Sequence, residues 1–341
     1  MSDFYSLDQH AQAERMRALA ETALAHWDID ASQFDLIKYR ENAVFCATTT
    51  DGARYAVRIH RAGYHSDDEL RSELQWIDAL SDYGIEVPAI VPCRDASSFA
   101  VVTGEGIPEP RQVDIFHWVE GRQLGSAEAG VADIQSIGQT YHTIGTLAAQ
   151  LHNQATTWVL PEGFTRHAWD AAGLVGPTPF WGPFWELAAL TDEQRQLLIA
   201  ARDRVYVDME AYAADPGNAD RYSLIHADFV AENLMVDGDV VRLIDFDDAG
   251  FGWHLFELAT ALYFEMEADY YQDAYTALVQ GYREYRSLPD SQLDYLPLFL
   301  LARSFTYLGW VHTRFETETA RQMTPMLVEK ACNVAQAYLA G

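Results

Sequence analysis

Apolar and polar positions alternate along the first part of the chain with two different periods. Residues 8–26 carry apolar side chains at helical spacing and predict a first helix. Its apolar face is made by Met16, Leu19, Ala23 and Leu24. Three apolar runs with short polar turns between them follow, and they predict antiparallel strands. These runs are FDLIKY (34–39), NAVFCATT (42–49) and RYAVRIH (54–60).

A second helix is predicted over 66–84, where apolar residues again recur at helical spacing. Ser66 and Glu69 form a capping box at its start, and Gly84 is a stop signal. Its apolar positions are Leu70, Leu74, Ile77 and Leu80. Three further short runs predict strands. They are VPAIVPC (87–93), SFAVVT (98–103) and QVDIFHWV (112–119).

The pattern changes after residue 119. The glycines Gly121 and Gly125 mark a break, and residues 134–154 then carry apolar side chains at helical spacing. Most of the remaining chain is helical in pattern and rich in aromatic residues. We therefore predict an α+β fold with a β-rich N-terminal lobe, residues 1–116, and a mainly helical C-terminal lobe, residues 117–341.

One stretch of the second lobe departs from this helical pattern. Residues 224–252 read LIHADFVAENLMVDGDVVRLIDFDDAGFG, two apolar runs joined by the turn signal Asp237-Gly238. A two-residue turn places Asn233 opposite Arg242, and a turn one residue longer places it opposite Leu243. In either register Asn233 and Asp245 lie at the open end of one hairpin, and Asp228 lies in the loop that leads into it.

This convergence of acceptors indicates phosphoryl transfer. Amide and carboxylate oxygens suit a hard cation such as Mg²⁺, so Asn233 and Asp245 are candidate metal ligands. The remaining carboxylate, Asp228, is the candidate catalytic base or alcohol-orienting group, since a D-x-x-x-x-N spacing separates base and ligand in kinase catalytic loops. A plain hairpin with solvated acids is the competing interpretation, and the conjunction of HxDxxxxN, hairpin and DFD favours the chemistry.

The charge balance indicates which classes of partner the protein is expected to bind. Lys and Arg number 23 against 51 Asp and Glu, a formal net charge of −28. Such a field repels nucleic acid and anionic membranes, so neither is an expected partner. An amine-bearing substrate suits the charge, although an acid excess also serves solubility. No apolar run reaches membrane-spanning length, no CxxC pair occurs and the first residues lack a secretory pattern, so we expect a cytoplasmic protein.

These motifs resemble those of the aminoglycoside phosphotransferase and choline kinase superfamily, the small-molecule branch of the protein-kinase-like fold. The specific part is residues 224–261. The wider pattern YAVRIHR, SELQWI, FHWVEG, LHNQA, HADF and IDFDDAGFG resembles the branch of homoserine-kinase-like enzymes and stress-response Ser/Thr kinases. The resemblance implies an ATP- and Mg²⁺-dependent kinase with a bilobal fold that phosphorylates a hydroxyl of a small molecule.

The resemblance also assigns residues upstream of the hairpin. Arg58 would stand where kinases carry a Lys that holds the α- and β-phosphates, with Glu73 as its partner. Arg keeps the charge and can grip phosphate with two donors. The loop over the phosphates would use backbone amides near Glu41, Asn42 and Ala43.

In the predicted hinge FHWVEG, the adenine would bond the His117 carbonyl and the Val119 N–H. His226 would brace the catalytic loop.

Several positions leave alternatives open. Ala227 replaces a Gly that the family often has, and Glu257 stands where an Asp usually anchors the catalytic loop. Asp247 and Asp248 either extend the metal shell or are solvated acids. The aromatic segment 180–185 either walls a substrate pocket or belongs to the core.

The alternative functions are a Ser/Thr protein kinase of the stress-response type and a nucleotide-binding pseudokinase. No feature of the sequence indicates the phosphate acceptor or the oligomeric state.

Overall fold

The computed structural model of the protein describes residues 4–39, 42–126, 130–131, 136–238 and 240–341. The chain forms two compact units. The first unit comprises Met1–Arg122, Leu160–Thr165 and Met235–Ile244. The second comprises Gln123–Val159, Arg166–Leu234 and Asp245–Gly341. Two later segments thus return to the first unit, which no local pattern indicates, and the division into functional lobes at residues 116 and 117 stays a prediction.

The first unit is built on a five-stranded antiparallel sheet with the strand order β1-β2-β3-β5-β4. Its strands are β1 (Ala31–Tyr39), β2 (Ala43–Thr49), β3 (Arg54–Ile59), β4 (Ala100–Val102) and β5 (Arg111–His117). Its helices are α1 (Gln9–Ala23), extended by a 3-10 turn at Leu24–His26, and α2 (Asp67–Tyr83). The predicted β-rich unit with one inserted helix is confirmed.

Local signals set the ends of α2 as expected. Ser66 accepts from the backbone of Glu69, and the Glu69 carboxylate accepts from the backbone of Ser66. At the other end Gly84 adopts a φ of +92°, a left-handed conformation that other residues reach only at a cost. The capping box and the stop are both confirmed.

The predicted strand at 87–93 is wrong. This segment forms an isolated bridge between Ile90 and Phe116 and is otherwise irregular. Pro88 and Pro92 remove the backbone donors that a ladder needs, so an apolar run there cannot continue as a strand. The segment instead covers the core, where the Trp27 indole donates to the carbonyl of Val91 at 2.8 Å.

The second unit is mainly helical, as predicted. Its helices are α3 (Ile137–Thr157), α4 (Ala171–Val175), α5 (Asp192–Ala214), α6 (His254–Leu262), α7 (Tyr271–Tyr285), α8 (Asp290–Leu293), α9 (Leu296–Thr313) and α10 (Glu318–Ala340). Gly145 and Gly281 permit the close approach of α3 and α7, because a Cβ at Gly145 would lie 2.0 Å from the carbonyl oxygen of Leu278. Among the described residues, none of the helices has both the length and the hydrophobicity that a membrane span requires.

Eight further strands in the described part of the chain are short. They are β6 (Arg122–Gln123), β7 (Gly125–Ser126), β8 (Gly130–Val131), β9 (Ala168–Trp169), β10 (Tyr222–Ile225), β11 (Leu234–Asp237), β12 (Val240–Leu243) and β13 (Gly250–Trp253). Strands β11 and β12 are neighbours in a small sheet, and Gly238 between them has a φ of +60°. The predicted hairpin is confirmed, while Asp239 in its turn lies outside the described residues. Strand β10 pairs antiparallel with β13, which leads directly into α6.

Candidate active site

The predicted base, Asp228, lies in a short loop between β10 and the turn Ala231–Asn233. Strand β10 ends fully buried at Ile225, and the polar residues that follow turn the chain out of the core. His226 and Ala227 are fully buried, whereas the Asp228 side chain keeps 27% of its surface exposed. The Asp228 carboxylate thus follows a buried backbone and is itself partly exposed to solvent.

Both oxygens of the Asp228 carboxylate have partners within the second unit. Asn233 Nδ2 donates to Oδ2 at 2.8 Å and to the backbone carbonyl of Asp228 at 2.8 Å. Arg303 Nη2 donates to Oδ1 at 2.9 Å. A carboxylate oxygen accepts more than one hydrogen bond, so the group can still accept the hydroxyl of an alcohol.

The predicted metal ligands share one end of the hairpin. Asn233 directly precedes β11 and Asp245 follows β12 by two residues, so both lie at its open end. The Asn233 amide nitrogen donates to Asp228, and the amide oxygen is the atom that the prediction assigns to a cation. Asp245 is exposed and has a φ of +67°, a left-handed conformation that Asp tolerates better than most residues. One amide oxygen and one carboxylate fit Mg²⁺, which takes few protein ligands.

Glu257 on α6 holds the backbone of the predicted catalytic loop. Its Oε1 accepts from the backbone N–H of His226 at 2.7 Å, and its Oε2 accepts from that of Ala227 at 2.8 Å. Burial raises the pKa of Glu257 to about 8, although both hydrogen bonds and the Arg303 charge act in the opposite direction. Ala227 has a φ of +64°, which costs roughly 1–2 kcal/mol for a residue with a Cβ. The longer Glu side chain therefore reaches the loop and helps to hold a strained residue.

A layer of buried histidines lies against this anchor. The rings of His152 and His254 stack with centroids 3.9 Å apart. His152 Nδ1 bonds the hydroxyl of Tyr282, and His254 Nε2 bonds that of Ser223. Burial lowers the pKa of both histidines well below the usual value. They are therefore neutral at physiological pH, so His152, 4.0 Å from Glu257, does not supply a counter-charge for it.

The backbone that follows Asp245 is fixed by residues just before and within β9. Arg166 Nη2 donates to the carbonyl of Asp247 at 2.6 Å, and the Trp169 indole donates to the carbonyl of Asp248 at 2.9 Å. The His167 ring also contacts the Asp248 carbonyl, at 3.1 Å. These contacts involve main-chain oxygens and leave the roles of the two carboxylates as predictions.

In the first unit, Arg58 on β3 meets two buried carboxylates. Its Nη2 lies 2.7 Å from Glu73 Oε1, the predicted partner on α2. It also makes a two-point contact with Asp114 on β5, Nε at 3.0 Å and Nη2 at 2.6 Å. His60 Nε2 lies 3.0 Å from the same carboxylate. Burial alone would raise the pKa of Asp114, but the charges of Arg58 and His60 outweigh it and lower the pKa to about 2.

The other predicted nucleotide contacts are also placed in the first unit. The Asn42 side chain accepts from the backbone N–H of Arg61 at 3.0 Å, which ties the start of β2 to the end of β3. His117 ends β5 and Val119 follows it by two residues. Glu41, the neighbouring candidate for the phosphate loop, lies outside the described residues. The roles of Asn42, His117 and Val119 in binding a nucleotide stay predictions.

Two charged residues were missed by the sequence reasoning although each carries a signal. Asp114 is a lone acid in the apolar strand QVDIFH, and Arg303 is a lone cation in the apolar helix LPLFLLARSFTYLGW. A charge in such a setting is buried and needs a partner. The partners come from distant parts of the chain, so the sequence does not name them.

The aromatic segment 180–185 contributes to the core of the second unit. Trp181 and Phe184 are buried, and Phe184 stacks on Phe305 with centroids 4.4 Å apart. Phe180 stacks on the His167 ring at 3.8 Å. The core interpretation therefore holds for Trp181 and Phe184.

Comparisons with known proteins show which family and fold this chain is similar to. The family model described as "Phosphotransferase enzyme family" matches residues 38–288 of the chain. The amicoumacin kinase of Bacillus subtilis (strain 168) is 21% identical over 327 residues, which cover 92% of this chain and 90% of that protein.

Two solved structures resemble the whole chain. A microcompartment-associated aminopropanol kinase is 30% identical with a TM-score of 0.81, and the match covers 94% of this chain and 97% of the other. An amicoumacin kinase in complex with AMP-PNP, Ca²⁺ and Ami has a TM-score of 0.75 at 19% identity, with 96% of both chains covered. The second likeness concerns the fold, and the expected protein-kinase-like architecture is confirmed.

Proposed function

We propose, since the chain belongs to the phosphotransferase enzyme family, that it transfers the γ-phosphate of ATP to a hydroxyl of a small, amine-bearing molecule with the help of Mg²⁺. The observation that carries this proposal is the Asp228–Asn233 pair. A carboxylate and an amide hydrogen-bonded at 2.8 Å stand on an anchored loop, and Asp245 lies at the open end of the adjoining hairpin.

In this proposal the residues of the second unit divide the chemistry. The Asp228 carboxylate accepts the hydrogen bond of the acceptor alcohol, orients its oxygen and takes up its proton as the phosphoryl group is transferred. The Asn233 amide oxygen and the Asp245 carboxylate hold Mg²⁺, which neutralises charge on the phosphates. Glu257 keeps the loop in place through two backbone amides and does not touch the reactants.

The first unit would hold the nucleotide. Arg58 would grip the phosphates, with Glu73 fixing its orientation, and amides near Asn42 would cradle them. His117 and Val119 would bond the adenine through their backbones. Two carboxylates already oppose the Arg58 charge, so its grip would rest on directed N–H donors more than on net charge.

The acceptor is proposed from charge and relatives together. A net charge of −28 favours a cationic ligand. The relatives of this chain include an aminopropanol kinase, an amicoumacin kinase and a homoserine kinase, whose names indicate small-molecule substrates. They do not favour the Ser/Thr protein kinase alternative. The Asp228 carboxylate and the Asn233 amide are both present, and a pseudokinase would have no need to keep them.

The direct test is a screen for ATP consumption by the purified protein with Mg²⁺. The panel contains amino alcohols, sugars and aminoglycosides, and each amino alcohol is paired with a diol of equal carbon number. We expect ADP release with at least one amino alcohol and much less with its diol partner. Phosphate transfer to a protein acceptor alone, without turnover of any small molecule, would contradict the proposal.

Two variants then separate the proposed roles. Asp228→Asn is expected to abolish turnover and leave nucleotide binding largely intact, because it removes the proton acceptor and keeps the shape of the side chain. Asp245→Ala is expected to weaken Mg²⁺-dependent nucleotide binding measured by calorimetry. Asp237→Asn, at the turn end of the same hairpin, is the matched control and should behave as wild type. Loss of both binding and turnover in Asp228→Asn would mean that base and metal ligand are misassigned.

A further inference from the structure

Helix α9 contains a buried cation that has no role in the reaction proposed above. Arg303 lies in the middle of Leu296–Thr313, a helix whose side chains are almost all buried, and its own exposure is 0%. A guanidinium this deep in a protein is costly unless its charge and donors are paired. Its partners therefore indicate what it is there to hold.

Those partners belong to the catalytic loop and to α9 itself. Arg303 Nη1 donates to the carbonyl of Ala227 at 3.0 Å. Nη2 donates to Asp228 Oδ1 at 2.9 Å and to the hydroxyl of Tyr307 at 2.8 Å. Arg303 thus contacts two consecutive residues of the loop, one through its main chain and one through its carboxylate.

Aromatic rings enclose the guanidinium on its other sides. Its Cζ lies 4.2 Å from the ring centroid of Tyr307, 5.1 Å from that of Trp181 and 5.5 Å from that of Phe256. These rings attract the cation, and the guanidinium beside them is shielded from water. Because Arg303 is fully buried, it cannot itself reach a substrate.

We propose that Arg303 is a positioning residue for Asp228, and that it works together with Asn233 as a two-sided clamp on the carboxylate. Arg303 holds Oδ1 and the preceding carbonyl, while Asn233 holds Oδ2. Holding both oxygens fixes the plane of the carboxylate, so its remaining acceptor positions point in one direction. The inference rests on the proposed function, in which that direction is where the alcohol hydroxyl binds.

Through Arg303, the aromatic segment 180–185 also contributes to the position of Asp228. Trp181 packs over Arg303 and lies in the core of the second unit. The sequence left open whether that segment serves a substrate pocket or the core. In this proposal it contributes through the core, since it keeps the guanidinium dry and in place.

The test compares Arg303→Met, which keeps the volume and removes all donors, with Arg303→Lys, which keeps the charge. Lys330→Met is the matched control, because Lys330 is another buried cation of the same unit. Its Nζ lies 3.4 Å from the carbonyls of Tyr263 and Phe264 and 3.5 Å from Glu267 Oε2, and these partners lie outside the catalytic loop. For each folded variant, kcat, the KM for nucleotide and hydrogen–deuterium exchange of peptides covering 226–233 are measured.

We expect Arg303→Met to lower kcat by roughly 100-fold, because a misplaced catalytic group costs about this much. The KM for nucleotide should change little, and Arg303→Lys should recover part of kcat. Exchange should rise in the 226–233 peptides of Arg303→Met and remain at the wild-type level in Lys330→Met.

A kcat for Arg303→Met within about threefold of wild type would overturn the inference, since a shifted catalytic group costs far more. Failure of the wild type to phosphorylate any acceptor would refute the proposed function and not this inference. In that case the exchange data decide alone. Unchanged exchange over 226–233 in Arg303→Met would show that Arg303 does not position the loop.

Discussion

At the scale of single residues, the buried carboxyl group of Glu257 holds the backbone of the predicted catalytic loop. Its two carboxylate oxygens each accept one backbone amide, from His226 and from Ala227. A Gln at this position offers one acceptor and turns a donor towards the other amide. An unsatisfied buried amide costs about 1–3 kcal/mol, and the same cost in the barrier to transfer would reduce the turnover of Glu257→Gln by roughly 5- to 150-fold. Glu257→Asp keeps both oxygens on a shorter side chain and should retain more activity than Glu257→Gln.

The raised pKa of Glu257 makes this contact depend on pH. Its pKa is about 8 in the folded protein against 4.5 for an ordinary Glu, so between these values the folded state binds more protons than the unfolded state. Its contribution to the free energy of unfolding therefore falls as the pH rises from 4.5 towards 8. In urea unfolding, the free energy of unfolding of the wild type should fall relative to that of Glu257→Gln across this pH window. A constant difference would contradict the assignment, because Gln does not titrate.

At the scale of elements, Asp114 joins β5 to β3 and, through Arg58, to α2. The carboxylate is fully buried, and its partners hold its pKa at about 2 against a usual value of 3.8. Asp114→Asn leaves the Arg58 charge less paired, which typically costs about 3–5 kcal/mol for a buried pair. Because the folded pKa is lowered, this stabilisation is complete above pH 3.8 and is lost as the pH falls towards 2.

The matched control for Asp114 is an exposed pair in the same unit. Arg94 Nε lies 2.6 Å from Asp28 Oδ1, but the two side chains are 56% and 86% exposed. Solvent screens such a pair, so Asp28→Asn should change the free energy of unfolding by less than about 1 kcal/mol. Equal losses in Asp28→Asn and Asp114→Asn, measured by urea unfolding at neutral pH, would contradict the role assigned to burial.

The elements also show which parts of the fold were predictable. Signals that act between near neighbours, such as the Ser66–Glu69 box and the turn at Gly238, gave the right structure because their physics is local. The prediction of a strand at 87–93 was wrong because it rested on the apolar residues of the segment. It did not allow for the two prolines, which lack backbone N–H donors. Strand β9 is two residues long and was missed, since no periodicity is visible over that length.

In the candidate site too, features set by local spacing were predictable, and contacts with distant residues were not. Spacing alone brought Asn233 and Asp245 to one end of a hairpin. The residues from outside this segment that hold Asp228 and the two residues before it come from α6 and α9, far along the chain. A lone Arg in an apolar helix signals that it has a partner, but only the tertiary structure supplies Asp228 as that partner.

At the scale of the whole molecule, the acid excess should govern the response to salt. With 51 acidic against 23 basic residues, repulsion among like charges opposes the compact state. Salt screens exposed charges beyond about 10 Å at 0.1 M, while buried pairs such as Arg58–Asp114 are screened much less. Raising NaCl from about 20 mM to about 500 mM should therefore raise the thermal unfolding midpoint by about 1.5–3 °C, as a gain of about 1–2 kcal/mol would in a chain of this length.

Screening depends on ionic strength and not on the particular ion, so NaCl and KCl should act alike at equal concentration. Differential scanning fluorimetry in both salts checks this directly. A midpoint that is flat or falls with salt would contradict a net repulsion among the acids, because screening then removes no repulsion or removes favourable ion pairs instead. A rise seen with Mg²⁺ salts alone would instead report binding of the cation at a site in the folded protein, for which the Asn233 and Asp245 oxygens are the proposed ligands.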